Sequence, residues 1–388
     1  FLENMYMLTK KTGFNVMVKR TLEGISNGIY DEVEGGFYRY SVSRDWKNPH
    51  YEKMLETNAN LLHCYSYWYY LSGEQKYAEI ANKTASYLLN NLRDSETSLF
   101  YSSQDADEEY YALGLEDRRK RKAPYIDRNI YACKNAQCAI AFLKAGIYLG
   151  NEQFINVARE VFNRLIADHF KDQGVLHGRN SQFSYLDDNV YLLELSLQLY
   201  NYDLDEKYLE VAKKLGNIIV KDYVDENGLL KDKKTTEDSF GLLKDPYHPI
   251  SENALAMKDL FILSMITGNN DFEKVSKDLA SILSANYPSY TIFASAFANN
   301  LLTILSPIEI RLVFSDIEKA RKFVKENKLV QNPLVFLKFI AYDSDVVKKE
   351  YPKEGVYVCK GQVCYPPVDN IEGLRELVEK LVKEALKF

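Results

Sequence analysis

The chain has 388 residues, enough for two or three domains with a sizeable core. Its 55 acidic and 49 basic residues give a formal net charge of −6, so its electrostatics do not favour nucleic acid or an anionic membrane surface. Apolar residues make up 46% and charged residues 27%, which is typical of a folded protein rather than a disordered one. Five cysteines are too few for a disulfide scaffold, and we therefore expect a cytoplasmic protein.

The sequence begins at Phe1, with neither an initiator Met nor a secretory signal before the first predicted helix. We therefore expect a processed chain or a fragment that lacks its first helix. The longest uncharged stretch, 279–308, is interrupted by Asn286, Pro288 and Asn299. We interpret it as two buried helical segments, and the sequence predicts no membrane span.

Short turns recur along the first 306 residues, each between two helical patterns. They are Thr12-Gly13, Ser72-Gly73, Leu149-Gly150, the Asn201–Asp203 turn and Thr267-Gly268. The helix before a turn has few charges, whereas the helix after it is amphipathic. This alternation predicts a mainly α protein, an (α/α)6 toroid of helical hairpins whose inner helices line an axial cavity. An open solenoid is the alternative.

The pattern changes after Pro307. Ile308–Phe314 and Leu334–Ile340 have the composition of strands, with a helix between them. We therefore predict two domains, a toroid over 1–306 and a small α/β module over 307–388. In such a ring the long connections share one face with the N-termini of the inner helices, and we expect function there.

The stretch from Gly28 to Asn58 contains the densest group of candidate site residues. Charged groups that bind hydroxyls and rings that stack on sugar C–H faces both occur in it. The candidates are Arg39, Tyr40, Trp46, His50, Glu52 and Lys53. This composition suits a carbohydrate, although local capping and ion pairing explain the same residues.

His50 is the strongest acid–base candidate, because imidazole titrates near neutral pH. His248 occupies a similar place before a later inner helix. Two histidines facing one cavity would be able to exchange a proton at a sugar carbon, but two unrelated loop histidines would give the same pattern.

Carboxylates recur where long connections end, which favours general acid and base chemistry on a glycoside. The candidates are Asp105, Asp107, Asp127 and Asp188. Ordinary N-caps produce the same placement. The sequence shows no metal-ligand spacing and no cofactor motif, so we predict neither.

Cys359 and Cys364 flank a predicted hairpin turn, where they would lie opposite each other. The two cysteines either form a disulfide or stay as free thiols. A zinc site is disfavoured because a second pair of ligands is missing.

Three blocks in order resemble one known family, spermatogenesis-associated protein 20 and its bacterial and archaeal relatives. The blocks are Gly35–Asn58, Asp105-Ala106-Asp107 and Val356–Cys364. The resemblance implies a toroid of the N-acylglucosamine 2-epimerase and six-hairpin glycosidase type. It also implies that Asn58, Asn135 and Asn253 lie on the cavity face as candidate substrate-binding residues, and that a thioredoxin-like domain, absent here, belongs upstream.

Two functions follow as expectations. The first is a carbohydrate-active toroid, a sugar isomerase, epimerase or glycosidase-like enzyme acting on a small sugar. The second is a non-catalytic scaffold that works with a thioredoxin-like partner. Changes at Thr57, Lys134 and Glu252 relative to the family's pattern favour the scaffold.

Overall fold

The computed structural model describes residues 1–234, 241, 244–327, 329, 332, 334–361, 363–368 and 370–385. Within them the chain divides into two compact units. The first unit is Lys10–Ser184, and the second unit runs from Tyr185 onward together with Glu3–Thr9. Among the described helices, none is both long enough and apolar enough to cross a membrane.

Helices account for most of both units. In chain order they are α1 Leu2–Thr9, α2 Thr12–Gly28, α3 Leu55–Ser72, α4 Gln75–Tyr87, α5 Glu108–Tyr111, α6 Leu115–Arg118, α7 Ala132–Leu149, α8 Glu152–Asp168, α9 Leu186–Asp203, α10 Glu206–Asp222, α11 Ile250–Thr267, α12 Asn270–Asn286, α13 Ala294–Leu305, α14 Ile317–Asn327, α15 Asp345–Glu350 and α16 Ile371–Ala385. A π-helical turn, Leu88–Leu92, extends α4, and a 3₁₀ segment, Tyr287–Phe293, precedes α13.

Short strands occur in the connections, and longer strands near the C-terminus. They are β1 Tyr40–Ser41, β2 Pro49–His50, β3 Lys53–Met54, β4 Ser103–Gln104, β5 Ile126–Asp127, β6 Phe170–Lys171, β7 Gly174–Val175, β8 Ile308–Phe314, β9 Val335–Ala341, β10 Gly355–Lys360 and β11 Val363–Cys364.

The predicted hairpins are present in both units. In the first unit α3 packs against α4 and α7, and α7 packs against α8. In the second unit α9 packs against α10 and α11, and α11 packs against α12 and α13. The helix before each turn is the more deeply buried one, as its low charge content predicts, and α8 and α10 bury only one face.

The tight turns depend on left-handed residues. Gly73, Gly150 and Gly268 end α3, α7 and α11 with φ of 73°, 70° and 75°, a conformation that glycine adopts without steric cost. Leu204 takes the same role after α9 with φ 50°. The predicted turn at Thr12-Gly13 is misplaced, because both residues lie inside α2 and the positive φ belongs to Lys10.

The C-terminal strands form a four-stranded sheet in the order β11-β10-β8-β9. β8 and β9 run parallel with α14 between them in the chain, and the other pairs are antiparallel. The amide N–H of Leu337 donates to Asn201 at 2.7 Å, and Lys338 Nζ donates to the carbonyl of Met265 at 3.1 Å. These bonds fix β9 to the ends of α9 and α11.

Cys359 and Cys364 face each other in the β10–β11 register and are joined by a disulfide. Cys359 is buried and Cys364 is exposed. Gln362, in the predicted turn of this hairpin, lies outside the described residues. The domain boundary at 306/307 stays a prediction; α13 ends at Leu305 and β8 begins at Ile308.

Candidate functional site

Four of the predicted site residues come together at the β1–β2 hairpin of the first unit. Tyr40 pairs with His50 in the register, and their rings stack with centroids 5.0 Å apart. Oε2 of Glu52 lies 2.9 Å from Nη1 of Arg39 and 4.0 Å from Nδ1 of His50. The side chain of His50 is 39% exposed. A base, a carboxylate and a cation therefore share one surface, which we call the His50 group (Arg39, Tyr40, His50 and Glu52).

Lys53 is not in the His50 group, although its neighbour Glu52 is. Its side chain is fully buried, and Nζ lies 2.7 Å from Oδ2 of Asp31 and 2.9 Å from the carbonyl of Gly35. Arg118 Nη1 also contacts Asp31 at 2.7 Å, and it reaches Glu34 at 2.9 Å. Lys53 is thus one member of a balanced internal ion cluster, which revises its predicted substrate-binding role.

Tyrosine rings also contact this ion cluster. Lys53 Nζ lies 4.4 Å from the ring centroid of Tyr87 and 5.0 Å from that of Tyr111. Burial lowers the pKa of Lys53, and the neighbouring carboxylate of Asp31 only partly offsets that effect. Burial would raise the pKa of Asp31, but Lys53 and Arg118 outweigh it and hold that pKa below its usual value.

Trp46 packs against α2 and stays partly exposed. It has φ 66°, and its ring lies against Gly24 of α2, whereas its Cβ and backbone lie against Gly28. A Cβ at Gly24 would meet Nε1 of Trp46 at 3.0 Å, and one at Gly28 would meet its Cβ at 2.3 Å. The two glycines therefore make room for Trp46, and its role as a sugar platform stays a prediction.

The three predicted asparagines hold the hairpins together instead of facing a cavity. Asn58 Oδ1 accepts from the N–H of Phe37 at 2.6 Å, and its Nδ2 donates to the carbonyl of Phe37 at 3.0 Å. Asn135 binds both backbone groups of Phe100 in the same way, and Asn253 binds those of Leu230. All three side chains are buried. We call these arrangements the asparagine clamps; they revise the implied substrate-binding roles.

The predicted carboxylates have different local roles. Asp107 caps α5 by accepting from the N–H of Tyr110, and the buried Asp188 accepts from the N–H of Tyr185 at the start of α9. Asp127 accepts from the hydroxyl of Ser102 at 2.6 Å, and Asp105 is exposed. The capping alternative therefore describes Asp107 and Asp188.

A cleft of about 440 Å³ opens in the second unit, where α9 and α11 begin. It is lined by Tyr185, Leu186, Asp187, Asp232, Tyr247, Pro249, Ile250, Ser251, Glu252 and Phe293. Asp232 joins the two helix starts: its carbonyl accepts from the N–H of Leu186, and its carboxylate accepts from the N–H of Tyr247 at 3.1 Å. The hydroxyl of Tyr191 on α9 reaches Oε1 of Glu252 on α11 at 3.4 Å.

The lining combines carboxylates with aromatic side chains at the rim. Asp187 and Glu252 lie in the first turns of α9 and α11. Tyr247 and Phe293 are 67% and 53% exposed, unusual for large rings. Sequence reasoning selected Asp188 at the start of α9 instead, and the structure places that carboxylate in a capping box.

His248 lies between two lining residues, Tyr247 and Pro249. Its Nε2 is 2.9 Å from Oδ2 of Asp225, a partner the sequence did not suggest. Burial would raise the pKa of Asp225, but N–H groups of Leu229 and Asn227 and the ring of His248 hold it below its usual value. The anionic Asp225 therefore orients the ring in the tautomer that donates from Nε2.

A second buried ionic group lies between α9 and α11. Lys258 Nζ is 2.6 Å from Oε2 of Glu194 and 2.7 Å from Oδ1 of Asp259. Burial, and then Glu194, raise the pKa of Asp259 well above its usual value. Sequence reasoning missed this group because i,i+1 charges inside an apolar helix give no periodic signal.

These elements define an α/α toroid of helical hairpins with a small C-terminal α/β module, and solved structures confirm that fold class. A sugar epimerase from a ruminal bacterium matches with a TM-score of 0.59 at 14% identity, covering 73% of this chain and 72% of that one. A D-mannose isomerase matches with a TM-score of 0.56 at 14% identity, over 74% of this chain and 70% of that one.

The resemblance to spermatogenesis-associated protein 20 is confirmed over one segment of the chain. The human protein (Homo sapiens) is 41% identical over 92 residues, which are 24% of this chain and only 12% of that protein. The cellobiose 2-epimerase of Bacteroides fragilis is 34% identical over 94 residues, 22% of this chain and 24% of that enzyme. No family model matches the chain.

Proposed function

We propose that the chain is a carbohydrate-active toroid that binds a saccharide in the cleft where α9 and α11 begin, and that it acts as a sugar epimerase or isomerase. The observation that carries this proposal is the lining of that cleft. Asp187 and Glu252 supply acceptors for hydroxyl groups, and Tyr247 and Phe293 supply exposed rings. Its volume of about 440 Å³ lies in the range of small-molecule sites.

His248 supplies the acid–base group in this proposal. Asp225 accepts a hydrogen bond from Nε2–H, which leaves the lone pair on Nδ1 to remove a proton from the carbon next to a sugar carbonyl. The electron pair left on that carbon moves into the carbonyl and forms an enediolate. His248 returning the proton to the neighbouring carbon, with the hydroxyl proton moving from O2 to O1, gives the isomer, whereas a proton delivered to the opposite face by water or a cleft carboxylic acid gives the epimer. The similarity to a cellobiose 2-epimerase segment and the fold shared with a D-mannose isomerase support this class of reaction.

The test is solvent exchange in deuterium oxide with cellobiose and D-mannose as probes. We expect deuterium to enter at C2, since base removal of that proton precedes either product. His248→Gln should lower the exchange rate at least about a hundredfold. Asp278→Asn, an exposed change on α12, should leave it unaltered.

Release of a reducing sugar from a glycoside without exchange at C2 would instead favour a hydrolase using Asp187 and Glu252. If the chain binds neither probe and shows neither exchange nor hydrolysis, the proposal is contradicted and the scaffold function is favoured. The thioredoxin-like partner and the cytoplasmic location stay predictions.

A further inference from the structure

The disulfide of the C-terminal sheet lies beside a buried carboxyl group. On β10, Cys359 pairs with Cys364 of β11 on one side and with Glu309 of β8 on the other. Residues directly opposite each other on antiparallel strands project from the same face of the sheet, with Cβ atoms about 4.5–5.5 Å apart. The three side chains therefore form one row across the sheet, and Cys359 is its middle member.

One carboxyl oxygen of Glu309 lacks a donor. The side chain is 2% exposed, and its Oε2 accepts from Nη2 of Arg311 at 2.9 Å. Among the described residues, none is a hydrogen-bond partner of the buried Oε1. A buried acceptor without a donor destabilises the state that contains it. Reduction of the disulfide supplies a donor at Cys359, because a thiol carries an S–H group and a disulfide sulfur carries no proton.

We propose that Cys359 and Cys364 form a thiol–disulfide exchange site for a dithiol, in which Cys364 is the sulfur attacked and Glu309 stabilises the reduced form. Cys364 is exposed and Cys359 is buried, so an incoming thiolate reaches Sγ of Cys364. This activity is separate from the saccharide chemistry proposed for the α9–α11 cleft.

The exchange balances as a transfer of two electrons and two protons. Attack at Cys364 breaks the S–S bond and leaves its electron pair on Cys359, which takes up a proton and donates a hydrogen bond to Oε1 of Glu309. The second thiol of the dithiol, as its thiolate, then displaces Cys364, which takes up the other proton. The dithiol becomes a disulfide, and its two protons end on the two cysteines.

Bonds that do not involve sulfur hold the hairpin in place. The N–H of Tyr365 donates to the carbonyl of Val358 at 2.9 Å, and Lys360 Nζ donates to the carbonyl of Leu381 on α16 at 3.1 Å. These bonds keep the two thiols opposite each other after reduction, so the exchange should be reversible.

The first experiment equilibrates the full chain, without denaturant, in dithiothreitol buffers of graded reduced-to-oxidised ratio. Alkylation and peptide mass mapping give the reduced fraction of Cys359 and Cys364 separately from the free cysteines Cys64, Cys133 and Cys138. We expect a reversible transition of the folded chain between the disulfide and two thiols. A disulfide that opens only in denaturant, or one that does not form again on oxidation, would overturn the proposal.

A variant of Glu309 tests its role in the reduced form. Glu309→Met removes the unsatisfied oxygen of the oxidised form, whereas the loss of its bond to Arg311 affects both redox forms alike. The equilibrium constant for reduction should therefore fall at least about fivefold. Glu350→Gln is the matched control, because the exposed Glu350 also contacts Arg311, at 3.4 Å, but lies outside the row; it should leave the constant unchanged. Equal effects of the two substitutions would refute the role of Glu309.

Single-cysteine variants identify the attacked sulfur without relying on the folding of Glu309→Met. With glutathione disulfide as the probe, Cys364 in Cys359→Ser should form a mixed disulfide at least about tenfold faster than Cys359 does in Cys364→Ser. The reason is that only Cys364 is exposed. Equal rates, or a faster reaction at Cys359, would overturn the assignment of Cys364.

Discussion

The carboxyl group of Asp259 shares one ammonium group with Glu194 inside the second unit. Both carboxyl groups lie within 2.7 Å of Lys258 Nζ, so two acidic groups share one ammonium group away from solvent. Burial and the nearby Glu194 raise the pKa of Asp259 well above its usual value. The folded state therefore retains a proton that the unfolded chain releases at about pH 4.

This retained proton predicts how stability depends on pH. The free energy of unfolding should be highest below the unfolded pKa and should fall as pH rises toward the raised folded pKa. Asp259→Asn keeps the site neutral, so its melting temperature should exceed that of the unmodified chain by about 2–4 °C at pH 8 and match it near pH 4. Differential scanning calorimetry across pH measures both curves.

Asp278→Asn is the matched control for that series, because it makes the same change at an exposed position on α12. Its stability should follow the unmodified chain at every pH. Parallel curves for Asp259→Asn and the unmodified chain would show that Asp259 is ionised in the folded protein.

The asparagine clamps attach the buried helices α3, α7 and α11 to the connections before them. One side-chain amide satisfies both the N–H and the C=O of a buried residue, and it also donates to the carbonyl four residues earlier. Asn135 makes all three of these bonds around Phe100 and Tyr131. A buried backbone group left without a partner costs about 1–3 kcal/mol.

Removing a clamp should therefore destabilise its hairpin strongly. We expect Asn135→Ala to lower the free energy of unfolding by about 2–4 kcal/mol, because two backbone groups of Phe100 lose their partner. Asn156→Ala, on the exposed face of α8, should cost about 0.5 kcal/mol or less. Urea denaturation measures both, and a similar small loss for the two variants would refute the structural role of the clamps.

The helices and the C-terminal strands were predictable because their signal is local. The predicted strand Ile308–Phe314 matches β8 residue for residue, since seven apolar-rich positions between Pro307 and Ser315 fix it. The roles of the polar residues were not predictable, because their partners are distant in the chain. Asn135 meets Phe100 from 35 residues away, and Asp31 meets Arg118 from 87 residues away.

On the scale of the whole molecule, each unit contains a candidate group for a ligand among its described residues. The first unit has the His50 group, and the second unit has the α9–α11 cleft. A ligand that binds only the folded chain raises the melting temperature, by the equivalent of about 2.7 kcal/mol at a hundredfold excess over Kd. If a substitution in one of the two groups abolishes this rise in melting temperature, the ligand binds at that group.

We expect cellobiose or D-mannose to raise the melting temperature of the unmodified chain and of His50→Ala, but not of Glu252→Gln. The reason is that Glu252 lines the cleft, whereas His50 does not. A thermal-shift assay over a range of sugar concentrations measures this difference. The reverse pattern would transfer the proposed site to the His50 group.

The position of Trp46 against Gly24 and Gly28 has a spectroscopic consequence. The chain has 2 tryptophans and 30 tyrosines, and both tryptophans, Trp46 and the fully buried Trp68, belong to the first unit. Indole emission is therefore a built-in reporter of residues 10–184 alone, whereas tyrosine signals average over the whole chain. If the tryptophan and tyrosine signals change at different denaturant concentrations, the two units unfold separately; if they change together, the units unfold together.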